Sequence, residues 1–246
     1  LILLLLDIAI VMNGGGPEGL SLSGFLPSEV FAPGLGVTMV FVLGAYVGFE
    51  ATAIFGEEAH NPERTIPMAT YVAVLLITVF YAISTWAIVQ HYGPSHVQEV
   101  AAGSLEGFYF NAAGELLGNW AVQTMNILLL TSLFACLLSF HNTLNRYFYT
   151  LSHEGLAWKP LSKVHSRHGS PHVAGFVQAG LVVIIIAGFA IGGADPYTVV
   201  FSWMSALAVL AILGVQVLVS IAVIVFFSRE RYGRSILTTL IAPVLR

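Results

Sequence analysis

One carboxylate stands in apolar sequence with no obvious partner. Val30 to Phe49 carries no charge, and Glu50 follows it directly with ATAIFG on its other side. The uncharged run is long enough for a helix entering a bilayer. An ionisable side chain near mid-membrane costs about 2.5 to 3.5 kcal/mol even on the lenient insertion scale, and it is normally kept for function. Just before Glu50, Gly44 and Gly48 flank Ala45, Tyr46 and Val47. Each glycine weakens a helix interior by about 1 kcal/mol relative to alanine, so the helix is expected to break there. Such a break leaves N–H and C=O groups unpaired at membrane depth, which is tolerated only where protein, water or a ligand satisfies them. The stretch therefore offers two chemistries: bare main-chain dipoles at Gly44, Ala45, Tyr46, Val47 and Gly48 to hold a ligand, and a carboxyl at Glu50 whose neutral form burial favours. A packing reading stands beside this one. Gly44-x-x-x-Gly48 is also a pattern that lets two membrane helices approach closely, and Glu50 is then a protonated carboxyl paired to a neighbouring helix.

Other polar residues carry weaker signals. Asp7 interrupts the first apolar run; it either snorkels to the interface, the favoured reading, or faces a pathway. Ser132 and Ser139 lie two turns apart on one face of an apolar segment and are candidate ion or pathway residues, although membrane serines more often bond their own backbone. Asn126 reads as interhelical glue. His153, His165, His168 and His172 share one loop, but Gly169, Ser170 and Pro171 break any helix between the last two, so they read as solvated side chains with no zinc-site geometry. No nucleophile elbow accompanies any histidine, and enzymatic hydrolysis has no support. The Asn13-Gly14-Gly15-Gly16-Pro17 stretch is a turn, since it lacks the lysine of a phosphate loop. Cys136 is the single cysteine, so neither an intrachain disulfide nor a cysteine metal site is available. No cofactor is expected.

These residues must be positioned by membrane helices. Hydrophobic residues make up 57% of the 246 and charged residues 9%, with a mean hydropathy of +0.85, which excludes the soluble globular classes. The expected fold is all-α and polytopic, a single transmembrane domain with spans at 1–12, 36–57, 67–91, 119–141, 173–192 and 197–228 and a stub at 235–246. A crossing needs about 20 residues; the span 197–228 exceeds that and is expected to tilt or project. Lys and Arg occur in loops 58–66, 142–172 and 229–234, while loops 13–35, 92–118 and 193–196 have none. By the positive-inside rule the basic loops face the cytoplasm. On the outer side, residues 95–117 predict one or two short helices over the extracellular mouth, as a lid or as a packed connector. The net charge of −4 is spread over loops and points to no nucleic acid. The first residues lack a signal peptide's features, and the chain reads as an internal piece of a longer protein.

Two stretches resemble a known family. GFEATAIFGEEAHNPERTIP resembles the sixth-helix region of the amino acid-polyamine-organocation permeases: an acid after a glycine-containing break, a Glu pair, Asn-Pro, a basic residue and a further proline. NTLNRYFYTLSHEGLAWKPLSKVHSRHGSPHVA is similar to the family's stretch after the eighth helix, with Asn142, Arg146, Tyr149, Glu154-Gly155, Pro160, Val164-His165, Arg167 and Pro171 at the family's spacing. The resemblance spans the chain, from the end of helix five to the start of helix eleven of a LeuT-like inverted-repeat bundle.

The resemblance implies secondary transport of an amino acid or related amine across the cell membrane by alternating access. Main-chain carbonyls of the broken helix would receive the substrate's ammonium group at Gly44 and Val47. The substrate carboxylate would lie on a first helix that is not in this chain. Glu50 would couple transport to a proton, which is favoured over sodium, or serve exchange. The chain departs from several relatives in having Gly44 where they place a bulky aromatic, so Phe41 or Tyr46 takes over or the pocket is roomier. Two alternatives stay open: a polyamine or other amine carrier, and a non-transporting nutrient sensor or membrane scaffold on the same fold.

Overall fold

The computed structural model describes residues 1–49 and 59–229. Glu50, the inner end of the expected 36–57 span, and the chain from 230 onward with its stub lie outside the described residues. Regular structure among the described residues is entirely helical. The helices are α1 (Ile2–Met12), α2 (Pro27–Val30), α3 (Leu35–Gly44), α4 (Pro62–Tyr92), α5 (Val97–Gly103), α6 (Phe108–Leu117), α7 (Asn119–His153), α8 (His172–Ile191) and α9 (Ser202–Arg229), with a π-helical turn at Pro196–Phe201 leading into α9. Four segments are long and apolar enough to cross a membrane: Pro62–Tyr92, Asn119–His153, His172–Ile191 and Pro196–Phe227. α1 and α3 are shorter apolar helices. The protein is thus a polytopic helical membrane protein. Large apolar side chains such as Leu130, Ile184 and Leu218 face outward along these helices, as lipid requires.

Contacts divide the chain into two units, residues 1–33 with 49–186 and residues 34–48 with 187–246. In the first unit the core gathers where α6 meets longer apolar helices. Ala112 and Ala113 of α6 are buried with Leu6 and Ile10 of α1, Ala87 and Ile88 of α4, and Ala121 and Met125 of α7. Alanines at this junction let helix backbones approach closely. The segment 95–117 thus forms two short helices, α5 and α6, of which α6 supplies core residues.

The loop after α1 is strapped to the end of α4. The Gly16 N–H donates to the Gln90 carbonyl at 2.8 Å, the Ser21 N–H to Gln90 Oε1 at 2.7 Å, and Trp86 Nε1–H to the Ser21 carbonyl at 2.8 Å. Gly16 is required by this approach, because a Cβ there would sit 1.9 Å from the His91 carbonyl oxygen. Glu18 extends the strap: its carboxylate accepts the Ser95 N–H at 3.1 Å and also the Ser95 hydroxyl.

α7 has 35 residues, about 52 Å at 1.5 Å per residue, against a hydrocarbon core about 30 Å thick. Its last turns, with Asn142, Asn145 and Arg146, therefore continue past the expected span 119–141. The chain then folds back: Ser152 Oγ donates to the Trp158 and Lys159 carbonyls at 2.8 and 3.1 Å.

In the second unit, Asp195 caps the entry to the Pro196–Phe201 turn. Its Oδ1 accepts the N–H groups of Tyr197 and Thr198 at 3.0 and 2.7 Å and the Thr198 hydroxyl at 2.8 Å. These donors hold the Asp195 carboxyl below its ordinary range, the Thr198 N–H contributing most. α3 packs against α9 in the same unit.

Candidate functional site

α3 stops at Gly44, in the middle of uncharged sequence. Beyond it the hydrogen bonds tighten to turns: the Ala45 N–H is shared between the Phe41 and Val42 carbonyls at 3.0 and 3.1 Å, Tyr46 N–H reaches Leu43 at 3.1 Å and Val47 N–H reaches Gly44 at 3.1 Å. Shortened bonds of this kind close a helix end. Residues 45–49 continue as turn.

The two glycines that flank the turn have different reasons to be glycine. A Cβ on Gly44 would lie 2.6 Å from Val209 Cγ2, and Val209 is buried on α9. Gly44 is therefore a close-packing position, as the small-residue pattern predicts. At Gly48 no described atom lies within 4 Å of a built Cβ, but φ is +116°, a conformation glycine adopts without steric penalty. Gly44 ends the helix against its neighbour, and Gly48 redirects the chain toward Glu50. Ala45 is exposed, and Tyr46, Val47 and Gly48 are half-buried.

Asp7 does not snorkel. It is only 4% exposed, on the face of α1 that meets α4. Ser84 Oγ donates to Asp7 Oδ2 at 2.6 Å, and Asp7 Oδ1 is buried without a partner. The expectation of an interfacial residue is corrected, because Leu6 and Ile10 direct this face of α1 inward. On α6, burial lifts the Tyr109 phenol above its ordinary range, and a charge on Asp7 would act in the same direction. Nearby, Tyr92 donates its hydroxyl to the Phe108 carbonyl at 2.6 Å, and His91 Nε2 lies 3.3 Å from Glu115 Oε2.

The serines on α7 are both exposed, and the Ser132 hydroxyl donates to the Leu129 carbonyl of its own helix at 2.9 Å. Asn126 likewise donates to Val122 at 3.0 Å. No side chain from another described helix meets Ser132 or Asn126 through these bonds. The loop histidines are closer together than their spacing suggests. The turn at Gly169 to Pro171 brings the His165 ring to 4.9 Å from His168 and 5.6 Å from His172, centre to centre. Among the described residues no group of three His, Cys, Asp or Glu side chains is arranged to hold a metal ion.

Sequence reading missed one feature, a polar seam between α7 and α8. A Cβ on Gly175 would sit 3.3 Å from Asn145 Nδ2 and 3.4 Å from His141 Nε2, so the two helices approach there with polar side chains between them. The signal was present as glycine on one helix opposite polar residues four apart on the other.

A multi-helix membrane protein in which one short apolar helix ends in a turn inside uncharged sequence is the class these features define. The amino acid permease family profile matches residues 1–244, and the chain belongs to that family. Among similar proteins are the human cationic amino acid transporter 4, 28% identical over 146 residues (58% of this chain and 21% of the relative), and the human cystine/glutamate transporter, 28% identical over 142 residues (58% and 27%). The branched-chain amino acid permease BcaP of Bacillus subtilis is 29% identical over 139 residues (54% and 28%). The chain thus spans less than a third of the length of these curated relatives. No solved structure is matched.

Proposed function

We propose that the protein carries an amino acid across the cell membrane by alternating access, with the turn at Gly44 to Gly48 as part of the substrate site. The observation that carries this reading is the end of α3 at Gly44, inside uncharged sequence, with the chain turned by Gly48. Main chain turned at the end of a membrane helix suits the charged head of an amino acid. Names among the relatives cover cationic, acidic and branched side chains, so what they share is the amino acid head and not one side chain. Recognition by backbone fits that common denominator. The carboxylate end of the substrate is assigned to segments beyond this chain, and the basic loops 58–66, 142–172 and 229–234 are assigned to the cytoplasm.

Glu50 is the proposed coupling group. A carboxyl in a low-dielectric site is poised to change protonation with its surroundings, and a proton bound on one side would bias one state of the bundle. The test is uptake of a labelled amino acid panel by the full-length protein in liposomes, under an imposed proton or sodium gradient. A proton gradient is expected to drive uptake of at least one amino acid, and Glu50→Gln is expected to abolish the pH dependence. Full pH-dependent uptake by Glu50→Gln would falsify the coupling role. Failure of every amino acid to enter under any gradient, or to exchange against internal substrate, would remove the transport reading.

A further inference from the structure

We infer that Asp7 is the proton-binding carboxyl of an outer latch, which in its neutral form lets α6 seat against α1 and α4 and in its charged form unseats it. This goes beyond the transport reading, since neither substrate nor Glu50 enters it.

The inference begins from the hydrogen bonds of one side chain. Asp7 is 4% exposed, with one donor, Ser84 Oγ, 2.6 Å from Oδ2, while Oδ1 is buried with nothing to accept from. Its α1 neighbours Leu6 and Ile10 belong to a buried cluster with Ala87, Ile88, Ala112 and Ala113. A buried carboxylate costs several kcal/mol unless further hydrogen bonds or a countercharge satisfy it. Neither is at hand. α1 contributes no cation, and α4 contributes Ser84 and, two turns further on, His91 and Tyr92. α6 contributes Tyr109 and Glu115, and Glu115 is already paired to His91. His91 lies about 10 Å along α4 from Ser84 at 1.5 Å per residue, so it is no partner for Asp7. A neutral carboxyl fits instead: its hydroxyl and the Ser84 hydroxyl share the short contact, and Oδ1 becomes an uncharged carbonyl oxygen that is far cheaper to bury. A metal cation fits poorly, since hard cations take about six or more oxygens and no group of acids gathers here.

The mechanical consequence follows from what packs on the helix that carries Asp7. α6 lies against α1, with Ala112 and Ala113 buried in one cluster with Leu6 and Ile10, so loss of the proton to water leaves a full negative charge on the helix against which α6 seats. The charge is relieved by admitting water, which means lifting α6. Glu115 adds like charge on the same helix, and no Lys or Arg lies between residues 1 and 63 or between 65 and 145 to oppose it.

The test uses the full-length protein in lipid. Infrared difference spectra should show a protonated-carboxyl C=O stretch at neutral pH that disappears in Asp7→Asn. Protection of residues 108–117 against hydrogen exchange, taken relative to the intrinsic rate at each pH, should fall on raising the pH in the parent protein and hold in Asp7→Asn, which mimics the neutral form. Ser84→Ala should keep the band but move it to the frequency of a carboxyl with one hydrogen bond fewer, a change that mere packing loss would not produce. This variant also carries the test should Asp7→Asn fail to fold. Absence of an Asp7-dependent protonated band, equal pH response of α6 in both proteins, or a sodium-dependent change at constant pH confined to the parent would each overturn the latch.

Discussion

At the scale of single residues, Gly44 and Gly48 separate two roles that the sequence presents as one pattern. Alanine at Gly44 would put a methyl 2.6 Å from Val209 Cγ2, and overpacking of this kind typically costs about 1 to 3 kcal/mol. Removing the opposing methyls should relieve it. Gly44→Ala is therefore expected to lower thermal stability of the full-length protein, and Gly44→Ala with Val209→Ala to recover much of the loss. Gly48→Ala is expected to cost about 1 to 3 kcal/mol as backbone strain at positive φ, with no recovery from Val209→Ala. A double-mutant cycle on the two pairs measures the difference; coupling of Val209 to Gly48 as strong as to Gly44 would contradict the assignment. A sequence cannot make this division, because spacing of four fits a packing seam and a broken helix equally. Asp7 shows the same limit. Its type and its place in an apolar run were legible, but its inward direction depends on Ser84, 77 positions away. The structure of Glu50 lies outside the described residues.

Elements were more legible than the contacts between them. The apolar runs that predict membrane helices appear as α4, α7, α8 and the segment Pro196–Phe227, because lipid exposure demands continuous apolar sequence. Where a helix leaves the lipid that demand ends but the backbone bonds do not, so α7 runs to His153, twelve residues past the expected 141. The strap between α1 and α2 was read only as loop. Its hold on α4 comes from main-chain donors and Gln90, which leave no hydropathy signal. The Glu18 carboxyl is held below its ordinary value near 4.5, chiefly by the Ser95 hydroxyl and then by the Ser95 N–H. Because the folded value is depressed, its stabilisation is present above the unfolded value and is lost as the pH falls through the folded one. Protection of residues 13–22 against hydrogen exchange, taken relative to the intrinsic rate at each pH, should therefore fall on acidification below about pH 4.5 in the parent protein. Glu18→Gln should exchange fast already at neutral pH and lack that acid step. An unchanged acid step in Glu18→Gln would assign it to another group.

For the whole molecule, orientation is the property on which the proposed transport cycle depends, and charge is what sets it. Loops 13–35, 92–118 and 193–196 contain no Lys or Arg, whereas 142–172 holds Arg146, Lys159, Lys163 and Arg167. Positive charge near membrane helices is retained on the cytoplasmic side, so α7 should run from outside at Asn119 to inside at His153. This places α5, α6 and the Asp7 latch at the outer mouth and the His165 cluster at the inner one. Cys136 is the sole cysteine and is exposed on α7, so Cys136→Ser gives a clean background for labelling. In that background Glu106→Cys, exposed in the link between α5 and α6, should react with a membrane-impermeant maleimide in intact cells. Lys163→Cys should react only after permeabilisation. The opposite pattern would turn the molecule over and put the latch in the cytoplasm, where an external proton could not reach it. Equal labelling of both sites in intact cells would mean that α7 does not cross. The expected pattern, together with an acid-seated α6, would make external pH act directly on the seating of α6.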